Sequence, residues 1–373
     1  MSVDDVRYMA RALELARRGL YTTHPNPRVG CVIVRDGKVI GEGFHARAGE
    51  PHAEIHALRM AGAQARGATV YVTLEPCCHY GRTGPCSHAL IEAGVARVVM
   101  AMRDPNPKVA GGGEAMLRAA GIEVLSGMLE DEARALNQGF IQRMTQGRPF
   151  VRLKWGASLD GRTALAHGAS QWITGPEARR DVQFQRARSS AVLSSAETVI
   201  RDQARLNVRL SADELGMEGA VRQPVRVILD RTLRLTLDQP LFKEEGEVWI
   251  YSASEDRDRC QAVARGGVRL LSAPLTGAEA DAALNLAWIL EDLARREINE
   301  VWVEAGARLG GALLAAGLVD ELILYLAPTL LGHSAQPLAV LPELARLDQA
   351  RRWHWQDVRR VGGDLRLILH PSV

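Results

Sequence analysis

Pro51-His52-Ala53-Glu54, answered downstream by Glu75-Pro76-Cys77-Cys78-His79 and Gly84-Pro85-Cys86, decides how the first half of this chain is read. One imidazole and two thiolates supply three of the four tetrahedral positions of a zinc ion. A fourth position left open for water separates a catalytic site from a structural one. Glu54 follows His52 by two residues, so on a helix beginning there its carboxylate stands beside the metal. From that position it can take a proton from water and hand it to a leaving amine.

H-x-E followed by P-C-x-x-C is the grammar of zinc-dependent deaminases, here with the second thiolate delayed until Cys86. A structural reading competes with it, in which His52, Cys77, Cys78 and Cys86 close a four-ligand zinc. Structural sites space their cysteines by about two to four residues, and adjacent residues cannot easily aim both sulfurs at one ion. Glu54 would then have no task, so the open site is preferred, with His56 and His79 as supporting residues.

The chain as a whole sets bounds on this reading. Its 373 residues exceed one ordinary core, so two domains are expected. With 47% hydrophobic and 24% charged residues it reads as soluble and globular. A formal charge of only +2 argues against a surface built to hold nucleic acid. Three of the five cysteines crowd into positions 77–86, which suits metal binding in a reducing compartment better than disulfides. No apolar run approaches the ~20 residues that span a bilayer, and the start of the chain is charged rather than an apolar leader. A cytoplasmic enzyme is expected, with neither a membrane nor a nucleic-acid partner.

Val6, Met9, Leu13 and Ala16 recur at helical spacing before Gly19. The proline-rich stretch 22–27 is a loop, in which Asn26 either offers a donor and an acceptor to a ligand ring or caps a turn. Asp36-Gly37 joins strands at 29–34 and 39–44 as a hairpin, with His45 at the strand end. A strand at 68–74 delivers Glu75-Pro76-Cys77, and a helix at 87–93 carries Cys86 at its first turn, where backbone N–H groups favour thiolate. Strands at 97–102 and 122–125 and helices at 114–120 and 130–144 complete a three-layer α/β/α domain over 1–146.

After a short linker at 145–149 a second α/β domain, 149–373, opens with a strand at 150–155 and a polar turn at 157–163. An arginine-rich helix at 176–188 follows, then strands at 191–194, 225–229, 248–251 and 301–303. The run Glu304-Ala305-Gly306-Ala307-Arg308-Leu309-Gly310-Gly311 takes the last of these into a helix. Bare N–H groups at such a start can hold a phosphate, although this is not the G-x-G-x-x-G fingerprint, and packing glycines are the competing reading. Trp353 and Trp355, flanked by Arg351, Arg352, Arg359 and Arg360, read as half-buried sheet residues rather than a stacking surface for nucleic acid.

Thr23-His24-Pro25-Asn26-Pro27, His52-Ala53-Glu54, Glu75-Pro76-Cys77-Cys78-His79 and Gly81-Arg82-Thr83-Gly84-Pro85-Cys86 resemble the deaminase half of the bifunctional riboflavin-biosynthesis deaminase–reductases. The stretch 154–163, Gln171-Trp172-Ile173-Thr174 and 303–311 resemble the reductase half of the same family. The resemblance implies a cytidine-deaminase fold first and a dihydrofolate-reductase-like fold, using NADPH, second. By position it implies one Zn2+ on His52, Cys77 and Cys86, with Glu54 moving protons and Asn26, His45, His79 and Arg82 holding the substrate. The family usually shows serine where this chain has Cys78.

In the second half the resemblance implies that NADPH meets Gly156, Trp172, Thr198, Asp202 and the turn Gly306-Ala307-Arg308-Leu309-Gly310-Gly311-Ala312. Lys154, Ser170, Arg186, Leu206, Arg209 and Glu304 would then line the substrate side, where guanidinium forks suit a phosphate dianion. The implied activity is deamination of a phosphoribosylamino-diaminopyrimidine followed by reduction of its ribosyl group to ribityl. A homo-oligomer acting on small molecules is expected. Two rivals remain: a nucleic-acid-editing deaminase with an RNA-binding appendage, disfavoured by the near-neutral charge, and a zinc-stabilised scaffold, disfavoured by the open site.

Overall fold

The computed structural model describes residues 2–78, 84–107, 109–264, 266–279 and 282–372. The chain divides into two compact units, Met1–Gly147 and Arg148–Val373.

In the first unit α1 (Val3–Arg17) is opened by Ser2, whose hydroxyl accepts from the Asp5 N–H while the Asp5 carboxylate accepts from the Ser2 N–H. The hairpin β1 (Gly30–Arg35) and β2 (Lys38–Phe44) is followed by α2 (Ala53–Ala61), β3 (Thr69–Val72), α3 (Cys86–Ala93) and β4 (Arg97–Met100). Then come α4 (Gly112–Ala119), β5 (Glu123–Ser126), α5 (Glu130–Leu136) and α6 (Gln138–Gln146). The five strands are ordered β2-β1-β3-β4-β5, antiparallel through β3 and parallel beyond it.

Strand alternation sorts the side chains between two faces. Cys31, Ile33, Val70, Val72, Val98 and Met100 meet Ala53, Ala57, Leu90 and Leu117 of α2, α3 and α4. Val32, Val34, Tyr71 and Val99 meet Tyr8, Met9, Ala12 and Ala133 of α1 and α5. The unit is the expected three-layer sandwich. The single helix expected over 130–144 is broken at Asn137, whose φ of −120° leaves the helical range. The buried amide gains in exchange two bonds to one peptide, accepting from Arg28 N at 2.8 Å and donating to Arg28 O at 2.9 Å.

Close approach of α2 to the sheet places the start of that helix. A Cβ at Gly43 would lie 2.3 Å from Ala53 O, and one at Gly41 would lie 2.2 Å from Ala57 O. Only glycine lets the helix lie this low. His52 is therefore held at the helix start, beside the end of β3.

The second unit runs β6 (Phe150–Ser158), β7 (Arg162–Ala164), α7 (Pro176–Arg188), β8 (Ala191–Ser195), α8 (Ala196–Asp202) and β9 (Val225–Leu229). It continues with β10 (Val248–Ser252), α9 (Arg257–Ala264), β11 (Arg269–Ser272), α10 (Leu286–Arg295), β12 (Glu300–Glu304) and α11 (Ala307–Ala315). Last come β13 (Glu321–Ala327), β14 (Gln336–Pro337), β15 (Trp353–Val361) and β16 (Asp364–Pro371). Nine strands form one sheet in the order β11-β10-β9-β8-β12-β6-β13-β16-β15. It is parallel from β11 to β13 and antiparallel in the last two pairings. Val151, Leu153, Val301 and Val303 pack under α10 and α11, while Val192, Ile228, Ile250 and Trp302 pack under α7, α8 and α9.

Two expectations change here. Trp353 is half-buried, but Trp355 is 63% exposed on β15 at the sheet edge, not a half-buried sheet residue. The strand pairs along one edge only, with β16. Gly310 and Gly311 lie inside α11 and are buried, so they are packing glycines rather than a free phosphate turn. A Cβ at Gly310 would fall 2.3 Å from the Trp155 ring, and one at Gly311 would fall 2.0 Å from Val340 O. Gly310→Ala is expected to cost about 1–3 kcal/mol through overpacking. Urea unfolding of the full chain reads this, and an unchanged midpoint would show that α11 shifts freely.

Candidate active sites

At the first site, three elements present their ends to one point. His52 is the N-terminal cap residue of α2, Cys77 follows β3, and Cys86 begins α3. The donor atoms of His52, Cys77 and Cys86 all lie within 4.8 Å of one another. His52 Nδ1 is 3.2 Å from Cys86 Sγ and 3.6 Å from Cys77 Sγ. A tetrahedral zinc with ordinary bond lengths holds such atoms roughly 3.5–3.8 Å apart, so the set fits the ion.

The Cys86 N–H, at the start of α3, donates to Cys77 Sγ at 3.3 Å. Hydrogen bonds from Cys86 and His52 hold the Cys77 thiol well below its ordinary value, while burial opposes them. A thiolate is the form that binds metal. Cys78 does not join the set, because its Sγ faces Val109 O at 3.9 Å. The four-ligand arrangement is therefore not formed, and the cysteine at this position leaves the three-donor set intact.

Glu54 lies in the first turn of α2, 3% exposed, and its buried Oε2 has no hydrogen-bond partner among the described residues. Burial, with the negative charge of Cys77, lifts the carboxyl to about 7. His45 is buried beside His52, ring edge to ring face at 5.2 Å, and Asn26 reaches His45 with a 2.9 Å hydrogen bond. His79 and Arg82 fall outside the described residues.

Glu75 is the residue whose role the motif alone did not reveal. Its buried carboxylate accepts three backbone N–H bonds, from Asp104, Gly111 and Glu114, at 3.2, 3.0 and 3.1 Å. This ties the segment carrying Cys77 to the start of α4. Its place beside Pro76-Cys77 was the only signal. Glu75→Gln should present an amide N–H to those donors and lower zinc affinity about 10-fold. Competition with a coloured chelator measures this, and unchanged affinity would show that the Cys77 segment holds itself.

The second site is a cavity of about 510 Å³ at the carboxyl ends of β6 and β12, where ligands sit in parallel α/β sheets. It gathers Lys154, Gly156, Ser170, Trp172, Arg186, Thr198, Asp202, Leu206, Arg209, Glu304 and Gly306. Ala307, Arg308, Leu309, Gly310, Gly311 and Ala312 lie in α11 outside this lining. Six cationic side chains, Lys154, Arg179, Arg186, Arg201, Arg205 and Arg209, face three carboxylates, Glu197, Asp202 and Glu304. With Gly306 capping α11 at the rim, that cationic balance fits a phosphate-rich cofactor.

Glu304 is the braced anion of this cavity. Arg186 grips it with two bonds, at 2.5 and 2.8 Å, and donates a third to Asn207 O at 2.8 Å. Trp302 Nε1 donates to the same carboxylate at 2.9 Å, and Ser194 Oγ donates to the Glu304 backbone oxygen at 2.6 Å. Neither Trp302 nor Ser194 was expected, although Trp302 shares a strand face with Glu304 at a spacing of two. Lys154 rests 5.9 Å from the Tyr325 ring centre, and burial lowers its ammonium's pKa despite the charge of Glu304.

Burial pushes the Glu304 carboxyl up, but Arg186 and Lys154 outweigh it and hold the group at about 2. The folded value lies below the unfolded one, so this stabilisation is complete above pH ~4.5 and fades as pH falls towards ~2. Glu304→Gln should lower stability at neutral pH and flatten the acid limb of the unfolding curve across that window. An acid limb identical to the parent's would contradict the pairing.

One site with a zinc-type donor set and a buried carboxylate, and one with a cationic cavity at strand ends, define a two-domain α/β enzyme. The cytidine and deoxycytidylate deaminase zinc-binding region matches residues 2–102, and the RibD C-terminal domain matches residues 149–367. The riboflavin biosynthesis protein RibD of Escherichia coli strain K12 is 53% identical over 98% of this chain and 99% of its own length. The structure of Acinetobacter baumannii RibD superposes with a TM-score of 0.91 at 48% identity, covering 99% of each chain. A Thermotoga maritima structure, described as a diaminohydroxyphosphoribosylaminopyrimidine deaminase/5-amino-6-(5-phosphoribosylamino)uracil reductase, gives 0.84 at 34%, again over 99% of each chain. The chain belongs to the RibD family of bifunctional deaminase–reductases of riboflavin biosynthesis. No helix among the described residues is long and apolar enough to cross a membrane.

Proposed function

We propose that residues 1–146 deaminate 2,5-diamino-6-(5-phosphoribosylamino)pyrimidin-4-one and that residues 149–373 reduce the ribosyl group of the product to ribityl. The observation that carries this reading is the unpartnered, buried Glu54 oxygen beside the convergent donors of His52, Cys77 and Cys86. A zinc ion on those three donors supplies water activated at neutral pH.

Glu54 does the proton work. A carboxyl lifted to about 7 both accepts and releases a proton near neutrality. It is fixed at one place by the first turn of α2, so the proton it takes is returned to the amine leaving from the same ring. By family resemblance Asn26, His45, His79 and Arg82 are the residues assigned to hold the pyrimidine and its phosphoribosyl arm.

In the second domain NADPH supplies the hydride. Gly306, Thr198, Asp202, Gly156 and Trp172 line the cofactor side, and the remaining N–H groups of Arg186, with Arg209, Leu206, Ser170 and Lys154, take the substrate. The brace on Glu304 keeps its charge fixed beside Lys154, so the cavity holds polar groups in place rather than letting water reorganise. The reading takes the protein as cytoplasmic and homo-oligomeric, with small molecules as its ligands.

Ammonia release tests the first half directly. Chelator-stripped protein should be inactive and regain activity with one zinc per chain, and ammonia release that survives stripping would overturn the site. The alternative, a nucleic-acid-editing deaminase, requires RNA binding that falls steeply with salt.

A further inference from the structure

Asn26 and His45 form a short hydrogen-bonded chain that ends on the residue before His52. His45 Nδ1 lies 3.2 Å from Pro51 O, and a carbonyl oxygen only accepts, so Nδ1 carries the proton. His45 is 2% exposed, and no carboxylate pairs with its ring among the described residues. The group facing the ring's other nitrogen is an amide N–H, which only donates, so Nε2 is the acceptor. Asn26 Nδ2 donates to that nitrogen at 2.9 Å, which sets Nδ2 rather than Oδ1 on the His45 side of the half-buried amide.

We propose that His45 is a positioning residue: its single tautomer locks the Asn26 amide with Nδ2 rather than Oδ1 on the His45 side, so the site reads the base through a hydrogen-bond acceptor. The inference rests on the deaminase reading above and deepens it. It predicts selection for a pyrimidine that offers an N–H donor, ring or exocyclic, at the position Asn26 meets. The same ring also ties Asn26 to the Pro51 peptide, and its edge-to-face contact with His52 keeps base recognition and the metal donor in one register. An Asn26 free to rotate would present donor and acceptor indifferently and lose that selection.

A double-mutant cycle on the full-length, zinc-loaded protein tests this, with ammonia release from the diaminopyrimidine as the readout. Zinc content and reductase turnover of pre-deaminated substrate serve as controls on folding. His45→Phe should raise KM about 10-fold with kcat nearly unchanged and zinc retained. In an Asn26→Ala background, His45→Phe should raise KM no further, because it acts only through Asn26. His45→Gln, which can offer an acceptor to Asn26 and a donor to Pro51 O, should stay within about 3-fold of the parent.

Additive effects in the cycle would overturn the inference. So would a His45→Gln variant with strongly reduced kcat, because the imidazole would then be meeting substrate or moving protons itself. The Gln arm keeps the test decisive even where His45→Phe fails to fold. Absence of ammonia release by the parent protein would sink the deaminase reading itself, a result distinct from either of these.

Discussion

Glu54→Gln is expected to reduce ammonia release by about 10²–10⁴-fold while leaving turnover of pre-deaminated substrate at the parent rate. The amide keeps the shape of the carboxylate and its place in the first turn of α2. It cannot accept the proton that water must lose, nor return it to the departing amine. His52, Cys77 and Cys86 are untouched, so zinc content should stay at one per chain. Retained reduction separates a chemical loss from a folding loss, because the cavity belongs to the other compact unit. A variant that still releases ammonia at more than a tenth of the parent rate would show that another base serves. Asp104, buried and lifted to about 6 chiefly by burial, would be the next candidate.

The largest expected effect on stability comes from Arg152→Met. Arg152 is 2% exposed on β6, donating to Glu300 at 2.7 Å on one side and to Glu321 at 2.9 Å on the other. Removing the cation takes one counter-charge from each of two buried carboxylates, with Arg188 4.0 Å from Glu300 and His370 3.0 Å from Glu321 still in place, a change that costs about 3–5 kcal/mol. Burial pushes Glu321 up and Arg152 holds it down, with His370 helping from 3.0 Å. In the parent, that depressed carboxyl contributes stability above its unfolded pKa and loses it as pH falls. Without Arg152, burial dominates and the carboxyl's pKa rises above its unfolded value, so protonation relieves the variant. The deficit against the parent should therefore narrow as pH falls from 7 towards ~4.5. Urea midpoints across that range measure it, and a constant deficit would mean the carboxylates do not carry the loss. Arg152→Met combined with Glu300→Gln and Glu321→Gln should recover much of the stability.

The sequence made the zinc donors legible because their chemistry is local. His52 and Glu54 share the start of one helix, and Cys77 and Cys86 lie close together in the sequence. The hairpin around Asp36-Gly37 and the apolar runs of β1, β3 and β4 were equally plain. Four features were not legible, each because tertiary contacts decided it. Asn137 breaks a strong helical pattern to bond both polar groups of the Arg28 peptide, more than a hundred residues earlier in the chain. β13 escaped notice because Leu322 and Leu324 meet one core while Ile323 and Tyr325 meet the other. With both faces covered, no polar half marks the strand. For Gly310 and Gly311 a phosphate turn and packing glycines both stood open, because composition cannot tell a glycine that frees the backbone from one that admits Trp155. Glu75 shows no task within its own motif, since its three N–H donors come from residues 104–114.

The same division holds at the second site. Eleven of the positions implied by family resemblance gather at one cavity, although they come from strands, helices and loops spread from Lys154 to Gly306. What no local pattern showed is the brace on Glu304 by Trp302 and Ser194. The carboxylate's charge state is set against burial by Arg186 first, then by Lys154 and Trp302.

The most direct test of a deaminase and a reductase acting in sequence on one chain is NADPH absorbance after the diaminopyrimidine phosphoribosyl precursor is added to purified, zinc-loaded protein. The account predicts NADPH oxidation that disappears in Glu54→Gln and returns when pre-deaminated substrate is supplied. Oxidation of NADPH by the precursor at an undiminished rate in Glu54→Gln would contradict it, and so would silence with both substrates.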